Sequence, residues 1–387
     1  MKILVNAIST LSPLSGVGTY AYNVSRKLLE MDGGNDYLFF YQTFFSNSPL
    51  EGIRKKRLVS PGRIRSALGG FSGLKSFARA AAWQCQRLAF LGRSFDIYFE
   101  PGFIPLALNS KKVVTTVHDF SFMLHPGWHP RDRVEHFRRY FKKRIKVSDF
   151  ITVPSEFIRR QAGELLDFDH SRIKTVHPGY DPEIFHCYGA DALRSFRKKR
   201  GLPENYILYA GSIEPRKNIE GILKAWRRLP EDIRKETRLA VTGVSGWRNT
   251  RIMELMRELK DDIVLLGYLD GRELALAYAA ARLLVYPSFY EGFGIPPLEA
   301  MACGCPAVVS DAASLPEVCG DAAFYVDPDE IESIAGGILR VLTDETLRLS
   351  LAARGLERAK SFGWDKTAAG ILEIFSILEG NITGAFP

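Results

Sequence analysis

Short runs of β-branched and aromatic residues alternate with longer helix-forming stretches along nearly the whole chain of 387 residues. The runs stand at 3–6, 37–41, 97–99, 113–117, 150–153, 206–210, 239–242, 263–266, 283–286, 307–309 and 323–326. They are continuously apolar, as in Val113-Val114 and Leu283-Leu284-Val285, and do not alternate with polar residues. Strands covered on both faces by helices have this character, so the pattern predicts an α/β chain with parallel sheets. Ligands then belong beyond the carboxyl ends of the strands. Turn formers cluster at 177–189 and the strand-helix pattern restarts at Tyr206, which places a linker near 180–190. The domains expected on this basis are 1–185 and 186–366, each of ordinary size.

No uncharged apolar run approaches the ~18 residues that a membrane-spanning helix needs. The N-terminus meets Asn6 after three apolar residues, so neither a span nor a signal peptide is expected. The five cysteines, Cys85, Cys187, Cys303, Cys305 and Cys319, are few and odd in number, which speaks for a reducing cytoplasm. The net charge of +8 is uneven: residues 1–185 carry 27 basic against 16 acidic side chains, and the remainder 25 against 28. Ten basic residues and no acidic one lie between Arg54 and Arg93, interleaved with Leu74, Phe77, Trp83, Leu88 and Phe90; eight more lie in 131–146. Such stretches suit an anionic membrane surface or a phosphate-bearing partner, and equally an ordinary solvated face. No nucleic-acid partner is expected.

The densest chemistry follows the run at 283–286: Phe289-Tyr290-Glu291-Gly292-Phe293-Gly294-Ile295-Pro296-Pro297-Leu298-Glu299-Ala300-Met301-Ala302-Cys303-Gly304-Cys305-Pro306. A glycine-rich turn lets backbone come close to a ligand, and Pro297 suits the first turn of a helix. Amides at that helix start favour an anion such as a diphosphate. Glu291 and Glu299 would be repelled by a diphosphate but would accept hydrogen bonds from hydroxyls, one of a sugar and one of a ribose.

With this spacing, Glu291 and Glu299 reproduce an E-x7-E motif, and the surrounding segment resembles the retaining glycosyltransferases of family 4, which have the GT-B fold. The resemblance covers essentially the whole chain. It implies two Rossmann-like parallel-sheet domains facing a central cleft, the first for the acceptor and the second for a nucleotide sugar. A C-terminal helix at 367–387 would pack back on the first domain. Gly211-Ser212-Ile213-Glu214-Pro215-Arg216-Lys217-Asn218 looks like the family's segment whose Arg-Lys pair grips the donor diphosphate. There Arg216 offers a planar fork and Lys217 a point charge. Ser15-Gly16-Val17-Gly18-Thr19-Tyr20 is similar to the loop facing the donor phosphates, with Tyr20 a possible acceptor contact. His118, at the end of the run 113–117, matches a histidine beside the transferred sugar, and Asp119 would orient it or meet the acceptor. The catalytic residues implied are therefore His118, Arg216, Lys217 and Glu291. Gly16, Gly18, Gly292, Phe293, Gly294, Ile295, Leu298 and Glu299 join Arg216, Lys217 and Glu291 as donor contacts, and 263–268 is the candidate base pocket.

The resemblance implies transfer with retention, the leaving phosphate taking the acceptor proton. It favours mannose from GDP-mannose in O-antigen or exopolysaccharide synthesis; UDP-glucose, UDP-N-acetylglucosamine and dTDP- or GDP-deoxysugars stay open. The expected acceptor is a lipid-linked saccharide, which would place the protein peripherally on the inner face of the cytoplasmic membrane. Neither cofactor nor metal is expected. There is no D-x-D signature, and Pro126, Gly127 and Pro130 break any helix that would align His125 with His129 on zinc. Cys303 and Cys305 read as packing residues, and Ser155 as a helix cap. Two other classes remain. A nicotinamide-dependent oxidoreductase would use Gly16-Val17-Gly18-Thr19-Tyr20-Ala21 as G-x-G-x-x-A, although eight residues separate it from Ala7. A non-catalytic sugar-nucleotide-binding protein would hold the donor without turning it over.

Overall fold

The computed structural model describes residues 1–11, 16–42, 44–49, 90, 92–106, 108–247 and 249–380. The basic segment 54–93, apart from Phe90, Gly92 and Arg93, lies outside the described residues, as do Ser15, Cys85 and 381–387.

The strands form two sheets. The first contains β1 (Lys2–Asn6), β2 (Asp36–Phe40), β3 (Phe45–Ser46), β4 (Phe95–Glu100), β5 (Ser110–Thr116), β6 (Phe150–Val153) and β7 (Ile173–Thr175), in the order β3-β2-β1-β4-β5-β6-β7. Every pairing is parallel except β2 with β3. The second contains β8 (Tyr206–Ala210), β9 (Arg238–Thr242), β10 (Ile263–Gly267), β11 (Leu283–Tyr286), β12 (Ala307–Ser310) and β13 (Ala323–Val326), all parallel, in the order β10-β9-β8-β11-β12-β13. The continuous apolar runs become fully buried strands: every residue of β6, β8, β11 and β12 is buried. Each sheet reverses its direction of growth once, between β1 and β4 and between β8 and β11. A crevice opens at each reversal, beyond the carboxyl ends of the strands.

The helices that bear on the site are α1 (Gly16–Met31), α2 (Arg131–Ile145), α3 (Glu156–Leu165), α4 (Ile219–Arg228), α5 (Ile295–Ala302), α6 (Leu315–Cys319) and α7 (Trp364–Glu379). Apolar residues recur at helical spacing on their buried faces, Tyr20, Val24 and Leu28 on α1 and Phe137, Phe141 and Ile145 on α2. The other side of α2 is basic and exposed. Ser155 caps α3, its Oγ accepting from Ile158 N–H at 3.2 Å. Asn218 caps α4 from a left-handed backbone, φ 53°, its Oδ1 accepting from Gly221 N–H at 3.1 Å.

After β13 the chain returns to the first sheet. Trp364, Ala368, Ile371, Ile374 and Phe375 of α7 join Ile3, Val5, Val24, Leu28 and Phe99 in one core. On its way back it passes the linker so closely that a Cβ on Gly179 would lie 2.3 Å from Gly363 and Trp364 backbone atoms. The two-residue β3 and three-residue β7 are too short to show a sequence pattern. The strand expected at 113–117 begins at Ser110, and the last helix begins at Trp364.

Candidate active site

A cleft of about 620 Å³ separates the carboxyl ends of the two sheets and is lined from both. On the second sheet's side the chain leaves β8 and makes a tight turn, Pro215–Lys217, before the cap of α4. This turn carries Arg216 and Lys217 to the loop that follows β11. Glu291 Oε1 accepts from Lys217 Nζ at 2.5 Å and from Tyr286 OH at 2.9 Å, and its Oε2 accepts from Arg216 Nη1 at 3.0 Å. Arg216 is gripped from its other edge by Glu214 Oε1, at 3.2 Å from Nε and 3.0 Å from Nη2, and donates to Tyr290 O at 2.7 Å. Burial works against the Glu291 charge, but Arg216, Lys217 and their hydrogen bonds outweigh it and hold the carboxyl at about 2. Burial likewise opposes the Arg216 charge, and Glu291 and Glu214 more than offset it. Two cations and two carboxylates thus balance in a rigid array.

Glu299 lies one turn into α5 and is 8 % exposed, with Tyr278 OH at 3.4 Å as its side-chain partner. Burial pushes its carboxyl up to about 8. The loop before α5 works as the glycine pattern requires: Gly294 has φ +113°, and Gly292 packs against the first half where a Cβ would lie 1.9 Å from the His118 carbonyl oxygen.

The opposite wall is built by the start of α1 and the loop after β5. His118 Nε2 donates to Pro101 O at 2.7 Å, and the ring meets Tyr20 edge-on at 4.8 Å and Phe103 at 5.4 Å. Burial lowers its affinity for a proton, which favours the neutral imidazole. Asp119 Oδ1 accepts from Ser121 N–H at 2.9 Å and from Ser121 Oγ at 2.7 Å.

Of the residues singled out by sequence, Gly16, Tyr20, His118, Asp119, Arg216, Lys217, Glu291, Gly292, Phe293, Gly294, Ile295 and Glu299 line this one cleft. Gly18 and Leu298 do not: Gly18 is buried within α1, and Leu298 is fully buried in the core of the second half because it lies on the sheet-facing side of α5. Of 263–268 only Tyr268 reaches the cleft, because it alone follows the carboxyl end of β10. His125 stacks on Trp128 at 4.0 Å while His129 Nε2 bonds Ser121 Oγ at 2.9 Å, so the two do not converge. Cys303 and Cys305 are buried in the core. Sequence reasoning missed Phe103, Arg133, Glu214, Tyr278 and the loop Thr242–Trp247, all of which line the cleft. The signal for that loop was Gly243, where a Cβ would lie 1.9 Å from Gly211 O.

The halves also touch directly. Ser155 Oγ, besides capping α3, donates to Gly292 O at 2.8 Å. Glu317 on α6 accepts from the first two amides of α3, Glu156 N at 2.8 Å and Phe157 N at 3.0 Å, and bonds His177 Nε2 at 2.9 Å. A carboxylate from one half thus caps a helix of the other. Trp247 Nε1 donates to Trp128 O at 2.5 Å.

Known proteins are similar to this chain. The family model described as Glycosyltransferase Family 4 matches residues 14–184, and that described as Glycosyl transferases group 1 matches residues 194–358. An O-antigen chain mannosyltransferase B of Escherichia coli is 32% identical over 98% of this chain and all of its own length. The serotype-specific mannosyltransferase WbdA of Escherichia coli is 30% identical over 69% of this chain, which spans about a third (34%) of that longer protein. Among solved structures, a sucrose-phosphate synthase of Thermosynechococcus elongatus superimposes with a TM-score of 0.72 at 19% identity, over 98% of this chain and 100% of its own. Two parallel-sheet halves around one cleft are the GT-B fold, and with a full-length relative and both family models in register, the chain belongs to the family 4 glycosyltransferases and is an enzyme that transfers glycosyl groups.

Proposed function

We propose that the enzyme transfers mannose from GDP-mannose, with retention of configuration, to a lipid-linked saccharide in the assembly of a cell-surface polysaccharide. The observation that carries this is the 32% identity, end to end, with an O-antigen chain mannosyltransferase. The cleft supports the chemistry. Arg216 and Lys217 would meet the donor diphosphate and stabilise the charge that develops as the sugar bond breaks. The array that holds them is already formed, so little reorganisation accompanies the reaction. Glu291, anionic at any working pH, would accept from hydroxyls of the transferred sugar, and Glu299 from the ribose. His118 and Asp119 would face the sugar and the acceptor from the other wall. The leaving phosphate takes the acceptor proton, and no metal ion is required. The exposed basic face of α2, with Arg138, Arg139, Lys142 and Lys143, would rest on an anionic membrane surface.

The test is nucleoside diphosphate release from GDP-mannose, UDP-glucose, UDP-N-acetylglucosamine and dTDP-rhamnose, with and without EDTA, in the parent protein and in Lys217→Ala and Glu299→Ala. GDP release that survives EDTA and falls at least about a hundred-fold in Lys217→Ala supports the assignment. Preference for a UDP- or dTDP-sugar would overturn the donor, and loss with EDTA would overturn metal independence.

A further inference from the structure

The crevice where the first sheet reverses, between β1 and β4, is filled by a carboxylate. Glu100, the last residue of β4, is 5 % exposed. Its Oε2 accepts from Asn6 Nδ2 at 2.6 Å and Tyr98 OH at 2.5 Å, and its Oε1 accepts from Gly102 N–H at 2.9 Å. A Cβ on Gly102 would sit 2.9 Å from that same oxygen, so the turn is pressed onto the carboxylate. Between these two residues stands Pro101, whose φ is fixed by its ring. Its carbonyl is the acceptor for His118 Nε2. A carbonyl accepts only, so Nε2 carries the proton and Nδ1 keeps the lone pair. Among the described residues Nδ1 has no protein hydrogen-bond partner, and His118 lines the cleft. The edges of Tyr20 and Phe103 restrain the ring but do not choose its tautomer.

We propose that Glu100 is a positioning residue for glycosyl transfer: by clamping the Pro101-Gly102 turn it fixes the orientation and tautomer of His118, so that Nδ1 is presented to a sugar hydroxyl in the cleft. This rests on the placing of His118 at the transferred sugar. A buried carboxylate is a costly way to hold a turn whose own backbone could be satisfied otherwise. Burial pushes this carboxyl up to about 7 in spite of the three donors that oppose the shift. The cost becomes intelligible when the turn must not move relative to β1, β4 and the histidine that hangs from it.

The test uses long-range ¹H–¹⁵N spectra of histidine-labelled protein, with His118→Gln to assign the ring among the seven histidines, alongside turnover of GDP-mannose. In the parent, His118 should show a protonated Nε2 and a bare Nδ1. In Glu100→Gln the amide NH2 must confront a donor, Gly102 N–H in one orientation and Asn6 Nδ2 in the other, so the tautomer signals should mix or broaden, and kcat should fall about ten-fold with the donor KM within two-fold. Asn6→Asp combined with Glu100→Gln exchanges donor and acceptor across the crevice and should restore both readouts. Unchanged His118 signals in Glu100→Gln overturn the proposal, and so do altered signals that the double variant fails to rescue. The spectra need no substrate, so they decide the clamp whichever nucleotide sugar is the donor. His118→Gln at the parental rate would instead overturn the placing of His118; a silent His118→Gln beside a Glu100→Gln of parental rate overturns the role of Glu100 alone.

Discussion

Glu299 and Glu291 are the same residue type eight positions apart, and their surroundings drive them in opposite directions. Glu291 sits against two cations and stays ionised, whereas Glu299 has one weak hydroxyl contact and is pushed up to about 8 by burial. On the proposed ribose contact, the hydroxyl donates best to the ionised carboxylate, so binding the donor should expel a proton near pH 7. Affinity for GDP-mannose should rise as pH increases from about 6 to about 8, and calorimetry in buffers of different ionisation enthalpy should detect the proton release. The effect should vanish in Glu299→Gln. The sign for stability is the reverse. Because the folded protein holds this proton more tightly than the unfolded chain, the contribution of Glu299 is intact below about pH 4.5 and is lost as pH rises through about 8. Lys217 makes a second prediction at this scale. Removing it in Lys217→Ala leaves a buried Glu291 with one cation fewer, and urea unfolding should register a loss on the order of 3 kcal/mol besides the loss of activity.

Between the two halves, a tight constraint is the approach of the loop before α5 to the loop after β5. A methyl group at Gly292 cannot coexist with the His118 carbonyl in this arrangement of the halves. Gly292→Ala should therefore fold normally but hold the two halves further apart, with turnover reduced about a hundred-fold, the effect of a misplacement of about 1 Å at a reacting centre. Small-angle scattering should show a larger radius of gyration in the presence of nucleotide than the parent has. Where elements are concerned, the sequence was legible in proportion to the length of its patterns. The buried strands announce themselves as apolar runs, and the turn 289–294 announces itself through glycine, because both are local. Glu317 was not legible: its function is to cap a helix 160 residues away in sequence, and nothing around Leu315-Pro316-Glu317 marks it as a cap for α3. Ser155 was half legible, since its bond to Ile158 is local while its bond to Gly292 is not. Trp247 was not legible for the same reason, since its bond to Trp128 spans 119 residues, whereas Glu214 holds Arg216 from only two residues away and its carboxylate simply carries no mark of that role. Sequence proximity of Leu298 to Glu299 says nothing about which side of α5 it takes.

At the scale of the whole molecule, charge is segregated, with the basic excess in the first half. Among the described residues no helix is long and apolar enough to cross a membrane; the proposed lipid contact is the basic face of α2. Sedimentation with phosphatidylglycerol vesicles should show binding that weakens steeply as ionic strength rises from about 0.01 to 0.15 M, over which the screening length falls from ~30 to ~8 Å. Reversing Arg138, Arg139, Lys142 and Lys143 to Glu should weaken it strongly, while turnover on a soluble acceptor stays as in the parent, because none of the four lines the cleft.

The polypeptide crosses between the halves twice, once through the linker, exposed at Pro182 and Glu183, and once where Gly363 and Trp364 pass Gly179. Because Trp364, Ile371 and Phe375 are then sunk in the core beneath the first sheet, the last stretch of the chain is a structural part of the half it did not come from. Covalent continuity is therefore redundant at the linker. A protease cut beside Pro182 or Glu183 should leave two fragments on a denaturing gel and one particle on a native column, and the severed pieces should remain a working pair until the returning helix is pulled from its seat.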